Sequence, residues 1–273
     1  MDIIYIIIYF RYLESHNTID EIESILKNCK SDPFAETLLP GLIKFFGNIG
    51  HLRPKQVLSQ YPAFMSTLLD ITDVQDPTLR TIAFETIGYI GISLEGKQAL
   101  GAIGNKFTNS IEKLKVLIQD STTEFRVRSI NALSSLIKLD KENQTEEFLN
   151  QTELWYHAAL GNKPMELLYN VIKQPFVELR LAIYDIFSNM ARQVWGRREI
   201  LRQPGLPEFL LNRDSEREKA GMDAKFEIFK CLSDSGETEQ IVGNDIGRQV
   251  HEYVKQGPYF VLPRSSVAFE GQG

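Results

Sequence analysis

Asp76-Pro77-Thr78-Leu79-Arg80-Thr81-Ile82-Ala83-Phe84-Glu85-Thr86-Ile87-Gly88-Tyr89-Ile90 is the stretch on which the fold turns. Leu79, Ile82, Ala83, Thr86, Ile87 and Ile90 recur at steps of three and four and so make one stripe along a helix. Asp76 followed by Pro77 reads as an N-cap with a proline in the first turn, where a missing N–H costs nothing. No stretch of the chain alternates apolar and polar residues cleanly enough to predict a sheet.

The same unit returns on both sides. Upstream, Asp32-Pro33 precedes Leu39, Leu42, Ile43, Phe46 and Ile49. Downstream, Phe125 to Leu139 carries Ile130, Leu133, Leu136 and Ile137 on one face. Pro175 to Ala191 carries Leu179, Ala182, Ile183, Ile186, Phe187 and Met190, and Ala224 to Leu232 carries Ile228, Phe229 and Leu232. Asp32-Pro33 to Asp76-Pro77 is 44 residues, Arg80 to Arg128 is 48, and Arg128 to Arg180 is 52. Ala182 to Phe187 returns as Ala224 to Phe229, 42 residues on. Further helices are predicted between these: Ile19 to Asn28, Tyr61 to Ile71, Asn105 to Gln119, Glu146 to Leu160 and Pro207 to Asn212. Each period then holds two helices. A repeat of about 40–47 residues with two or three helices is the armadillo/HEAT pattern, in which neighbouring repeats bury each other's apolar stripes. The expected fold is an all-α, armadillo/HEAT-like, right-handed solenoid of about five repeats; the competing arrangement is a compact bundle of the same helices.

Composition agrees with a globular helical chain. The 273 residues carry 30 Lys+Arg against 36 Asp+Glu, a formal net charge of −6, with 43% hydrophobic and 24% charged residues. The small net charge and high apolar content exclude disorder. The acidic excess argues against general nucleic-acid binding. Cys29 and Cys231 stand far apart and read as reduced thiols in a reducing compartment; the expected localisation is the cytoplasm, with the nucleus as a second compartment. The apolar start, Met1 to Phe10, is about half the length of a bilayer span and lacks the basic lead of a signal peptide. The predicted organisation is an atypical start over 1–11, a repeat domain over 12–256 and an extended tail over 257–273. Gly257-Pro258-Tyr259-Phe260-Val261-Leu262-Pro263 cannot be helical, and Glu270 to Gly273 is polar.

Catalytic constellations are not found. His16, His51, His157 and His251 are scattered, without metal-ligand spacing. Gly91-Ile92-Ser93-Leu94-Glu95-Gly96-Lys97-Gln98 approaches the phosphate-binding loop G-x-x-x-x-G-K-[ST], but Gln98 stands where a hydroxyl is needed and the loop follows a helix. It reads instead as a helix C-cap, with Gly91 or Gly96 at positive φ. The basic run Arg192, Arg197, Arg198, Arg202, Arg213, Arg217 and Lys219 is interleaved with acids and reads as a salt-bridged face. No enzyme, cofactor, metal or small-molecule substrate is expected. What remains is a binding surface. Opposite the core stripes lie Lys44, Asn48, Glu85, Tyr89, Asn131, Lys138, Tyr184 and Asn189, the candidate partner-binding residues.

Several ordered stretches carry a family resemblance. Ser31-Asp32-Pro33-Phe34, Leu39-Pro40-Gly41-Leu42-Ile43-Lys44-Phe45-Phe46-Gly47-Asn48, Tyr61-Pro62, Gln75-Asp76-Pro77-Thr78, Glu95-Gly96-Lys97-Gln98, Gln174-Pro175-Phe176 and the ending Gly257 to Val261 with Pro263 resemble the 26S proteasome non-ATPase regulatory subunit 5 family. The similarity runs from about Tyr12 to the C-terminus and covers the C-terminal part of that family's pattern; Met1 to Phe10 has no counterpart there, which suggests a truncated or alternative start. The resemblance implies an assembly chaperone of the proteasome regulatory particle. Such a protein holds the C-terminal domain of an AAA-ATPase subunit on its solenoid, within a base precursor that includes a scaffold subunit, and is absent from the mature particle. No nucleic-acid or membrane partner is implied. The alternative is a general armadillo-type interaction scaffold.

Overall fold

The computed structural model describes residues 10–28, 33–236 and 238–261. The readings made above on residues 1–9, Cys29, Asp32 and Leu262 onward lie outside these. Among the described residues there is no strand, and no helix is long and apolar enough to cross a membrane.

Residues 10–15 form a short helix. It is followed by α1 (Thr18–Asn28), α2 (Pro33–Leu52), α3 (Pro54–Gln60), α4 (Pro62–Ile71), α5 (Pro77–Ile90), α6 (Leu94–Gly101), α7 (Asn105–Ile111), α8 (Leu114–Asp120) and α9 (Thr123–Ile137). Then come α10 (Glu146–Leu160), α11 (Pro164–Ile172), α12 (Val177–Ala191), α13 (Val194–Arg202), α14 (Leu206–Leu211), α15 (Lys219–Asp234) and α16 (Thr238–Gln256).

Local chemistry sets many of the starts. Proline opens α3, α4, α5 and α11, where its absent N–H has no intrahelical partner to lose. Asp76 accepts from the Thr78 N–H at 2.8 Å, and Ser93 and Thr145 cap α6 and α10 in the same way. Gly104 and Gly205, at φ 68° and 77°, make the sharp entries to α7 and α14 that a side chain would resist. Gly243, at φ 82°, interrupts α16.

The period holds three helices rather than the expected two. The segment from Asn105 to Gln119 is broken at Glu112-Lys113 into α7 and α8, and short first helices such as α3 and α6 carry too few apolar residues to announce themselves in a periodicity. The long third helices pack in series: α2 on α5, α5 on α9, α9 on α12, α12 on α15. Second helices stack likewise, α1 on α4 and α4 on α7; first helices follow with α3 on α6, α10 on α13 and α13 on α16. One apolar core runs from Phe10 to Tyr253 along the whole array. This is an armadillo-type solenoid, and the compact bundle is ruled out by the serial packing.

The third helices are buried on almost every side. In α5 only Glu85 and Tyr89 interrupt the buried run from Thr81 to Ile90. Each fully buried Leu, Ile or Phe there contributes about 1.5–3 kcal/mol. Gly47 and Gly88 mark the closest crossings. A Cβ at Gly47 would lie 2.6 Å from the Thr86 methyl, and one at Gly88 would lie 2.8 Å from the Ala132 carbonyl oxygen.

Candidate functional site

The exposed face of the third helices carries most of the residues predicted for partner binding, and its register follows from the crossings. Gly47 meets Thr86 and Gly88 meets Ala132, so Gly47 and Gly88 are equivalent. Arg80 Nε donates to Thr72 O at 3.2 Å and Nη2 to Lys113 O at 3.1 Å. Arg126 repeats the pattern, with Nε to Ile118 O at 2.8 Å and Nη1 to Gln174 Oε1 at 2.9 Å. Arg180 does so again, with Nη1 to Gln174 O and Nε to Glu216 Oε2 at 3.0 Å. The equivalent arginines are therefore Arg80, Arg126 and Arg180. Arg128 belongs to a different position: it forks onto Glu85, Nε to Oε1 at 2.6 Å and Nη2 to Oε2 at 2.7 Å. The 48- and 52-residue spacings drawn through Arg128 are corrected to 46 and 54.

In this register Lys44, Glu85, Asn131 and Asp185 occupy one row, a residue per repeat, and all but the half-buried Glu85 are exposed. Asn48 and Tyr89 follow in the next row and Lys138 on the edge beyond, all exposed. Six of the eight residues predicted for the surface thus stand on or at the border of one face.

Tyr184 and Asn189 do not. Tyr184 is fully buried, because α15 covers the side of α12 that a helical wheel leaves polar. Burial, with Glu216 beside it, pushes its phenol well above the ordinary range, and its hydroxyl has no partner at good hydrogen-bond geometry among the described residues. Asn189 is buried and donates to Ser134 Oγ at 2.8 Å, while Ser134 donates to Asp185 at 2.5 Å. Asp185, the residue the sequence reading missed, is the exposed member at this repeat; the series Lys44, Glu85, Asn131 would have reached it once aligned on the small residues Gly47, Gly88 and Ser134.

The phosphate-loop lookalike serves the fold. Lys97 is 1% exposed. Its Nζ donates to Gly91 O at 2.5 Å, Leu136 O at 2.9 Å and Ser135 O at 3.3 Å. It closes the C-terminal ends of α5 and α9 together, which leaves no donor for a phosphate. Burial pushes its ammonium down to about 7, with Asp140 opposing. Gly91 and Gly96 are not at positive φ as expected. Gly91 is right-handed, at φ −76°. Gly96 is needed for room, since a Cβ there would strike the Ile90 carbonyl. Gly196 and Arg197, 100 residues later, repeat the device: Gly196 lies under the Met190 carbonyl, and Arg197 Nη1 donates to Ala191 O and Arg192 O.

A groove of about 850 Å³ lies at the other end, between the α14–α15 loop, α16 and the tail. Arg213 organises it. Its guanidinium stacks 3.8 Å from the Tyr253 ring, with Phe260 at 5.4 Å, and donates to Gly257 O at 2.8 Å and Tyr253 O at 3.1 Å. Tyr259 donates to Asp223 at 2.5 Å. Of the segment predicted to be extended, Gly257, Tyr259 and Phe260 thus lie against the last helices. Lys225 in the wall donates to Asn212 O at 2.8 Å and Ser215 Oγ at 2.9 Å, and burial brings it down to about 8.

Residues 9–273 match the family model described as the proteasome non-ATPase 26S subunit. The chain belongs to this proteasome family. A 26S proteasome non-ATPase regulatory subunit 5 from Bos taurus is 37% identical over 262 residues, covering 96% of this chain and 52% of the relative. Its Drosophila melanogaster counterpart is 25% identical over 266 residues, covering 96% and 51%. The proteasome-family chain thus spans about half the length of the curated relatives it matches. The armadillo architecture also has solved likenesses. A designed armadillo repeat protein, YIII(Dq)4CqI, superposes with a TM-score of 0.60 at 12% identity, covering 86% of this chain and 98% of that one. A second design, YIII(Dq.V1)4CPAF in complex with peptide (KR)4, gives 0.58 at 13%, covering 85% and 97%. What this proteasome-family solenoid presents is a regular row of side chains, exposed or half-buried, on a buried, interlocked layer.

Proposed function

We propose that the chain is an assembly chaperone for the base of the 26S proteasome regulatory particle. It binds an AAA-ATPase subunit through the exposed face of its third helices, within a precursor that includes a base scaffold subunit, and leaves before the particle matures. The observation that carries this reading is the one-per-repeat row Lys44, Glu85, Asn131 and Asp185 in a chain of the proteasome non-ATPase family. A mixed polar row flanked by Tyr89 suits a partner that must be released, because such interfaces are less apolar than obligate ones. On this reading the chain acts by binding and performs no catalysis, in the cytoplasm or the nucleus.

Affinity purification of the tagged chain tests it. Free base ATPase subunits in the eluate, with core-capped proteasomes absent, is the expected result. Equal recovery on mature, core-capped particles would overturn it. The second reading, a general armadillo-type scaffold, draws on the designed likeness solved with a peptide, and partners mostly outside the proteasome would favour it.

A further inference from the structure

The C-terminal ends of successive third helices are sewn together by side chains. His51 Nδ1 lies 2.8 Å from Tyr89 O, and the two rings stack at 4.0 Å and 15°. Lys97 joins Gly91 to Ser135 and Leu136. Gln193 Nε2 donates to Ile137 O at 2.7 Å and Asn189 O at 3.1 Å, while its Oε1 accepts from Thr152 and Trp195. Gln144 Nε2 donates to Arg192 O at 3.0 Å. This edge is fixed over four repeats, and the carbonyls that a helix end would otherwise offer are taken.

What the edge shows outward changes along its length. Tyr89 is 41% and Ile92 40% exposed, with Tyr89 held flat against His51. The positions equivalent to Ile92 in the next two repeats are Lys138 and Arg192, both exposed, and neither forms an ion pair among the described residues. Exposed Asp140 is the carboxylate two residues from Lys138; Asp185 is bound to Ser134, and exposed Asp234 lies a repeat further on. In a chain of net charge −6, an unpaired cationic stretch beside an apolar one is a local reversal of sign. Against an overall acidic chain, two cations without ion-pair partners would draw an acidic segment to this edge and set its register as well as its attraction.

We propose that this edge docks an acidic segment of a protein partner, with apolar side chains on Tyr89 and Ile92 and carboxylates on Lys138 and Arg192. The proposal rests on the reading that the third-helix face holds the partner, and it names the chemistry of what is held. Third helices lie about 8–10 Å apart, so the four positions from His51 to Arg192 span roughly 25–30 Å, the reach of about eight residues of extended chain. The fixed ends mean that little of the binding energy goes into ordering the site.

Fluorescence anisotropy on the full chain tests it with synthetic peptides. The first probe carries Leu-Phe and four Glu, in both sequence orders; the control carries Lys in place of each Glu. One order of the acidic peptide binds at least tenfold more tightly than the Lys control. The double variant Lys138→Glu/Arg192→Glu loses that preference, and Lys138→Gln/Arg192→Gln loses most of it. Tyr89→Ala/Ile92→Ala weakens binding with an unchanged salt dependence. Glu124→Lys/Glu178→Lys, at the opposite ends of these helices, binds as the parent does. Circular dichroism confirms that each variant is folded. Absence of binding by either acidic peptide, equal binding of the Lys control, or unchanged binding by the Lys138/Arg192 variants overturns the proposal. Those results leave the ATPase co-purification standing; failed co-purification with peptide binding intact overturns the chaperone reading alone.

Discussion

Lys97 Nζ sits 2.9 Å from the Leu136 carbonyl oxygen, so a lysine from the first helix of one repeat terminates the third helix that closes the same repeat. The same ammonium reaches Gly91 O at the end of the preceding third helix.

The burial of this ammonium makes its contribution to stability rise with pH. Lys97 is brought down to about 7 in the fold, against about 10.4 in the unfolded chain. Between those values the unfolded chain holds a proton that the folded chain has released, so unfolding becomes harder as pH climbs. Lys225, at about 8, adds to the slope from higher pH. Urea midpoints are expected to increase from pH 6.5 to 9.5. Lys97→Met flattens the lower part of that rise and destabilises the chain by about 2 kcal/mol at neutral pH, because three carbonyls at two helix ends lose their donor.

Gly88→Ala tests the crossing of α5 and α9. The added methyl must displace Ala132 backbone rather than a mobile side chain, which costs about 1–3 kcal/mol in a packed core. Gly41→Ala, on the same layer with nothing within 4 Å of its would-be Cβ, is the control and changes the thermal midpoint little.

The Arg128–Glu85 fork joins neighbouring third helices at the surface, with side chains 26% and 37% exposed. Partial exposure limits it. A double-mutant cycle through Arg128→Ala and Glu85→Ala is expected to return a coupling of about 0.5–1 kcal/mol, shrinking in 0.5 M salt.

Tyr184 and Asp185 separate stability from binding. Tyr184→Phe removes a buried hydroxyl with no partner at good hydrogen-bond geometry among the described residues, so stability stays within about 1 kcal/mol of the parent or rises slightly, and ATPase co-purification is unchanged. Asp185→Ala removes an exposed member of the row and also the acceptor of the buried Ser134 hydroxyl, so co-purification is expected to fall several-fold beyond what the lowered thermal midpoint of the same variant accounts for.

Those neighbouring residues also show what can be read from the sequence. Asp76-Pro77 and the stripe through Ile82 and Ile87 announce α5, because capping and burial act within one helix. Tyr184 was placed outward because a wheel sees only its own helix, while the side of α12 it occupies is closed by α15, about 40 residues on. Arg128 was taken for the repeated arginine because composition cannot distinguish a guanidinium that forks onto Glu85 from one, two residues earlier, that ties Ile118 to Gln174. Short first helices such as α3 and α6 were missed for lack of length. Gly96-Lys97 and Gly196-Arg197, 100 residues apart, were a legible sign of a three-helix repeat, since both glycines pass beneath a carbonyl at the end of a third helix.

Arg80, Arg126 and Arg180 tie one margin of the third-helix layer, and Lys97, Gln144 and Gln193 tie the other. A strip stitched along both borders resists torsion as well as flexure. A load placed on one end would then reach the far end instead of being absorbed at a weak joint, as in a braced beam rather than a spring.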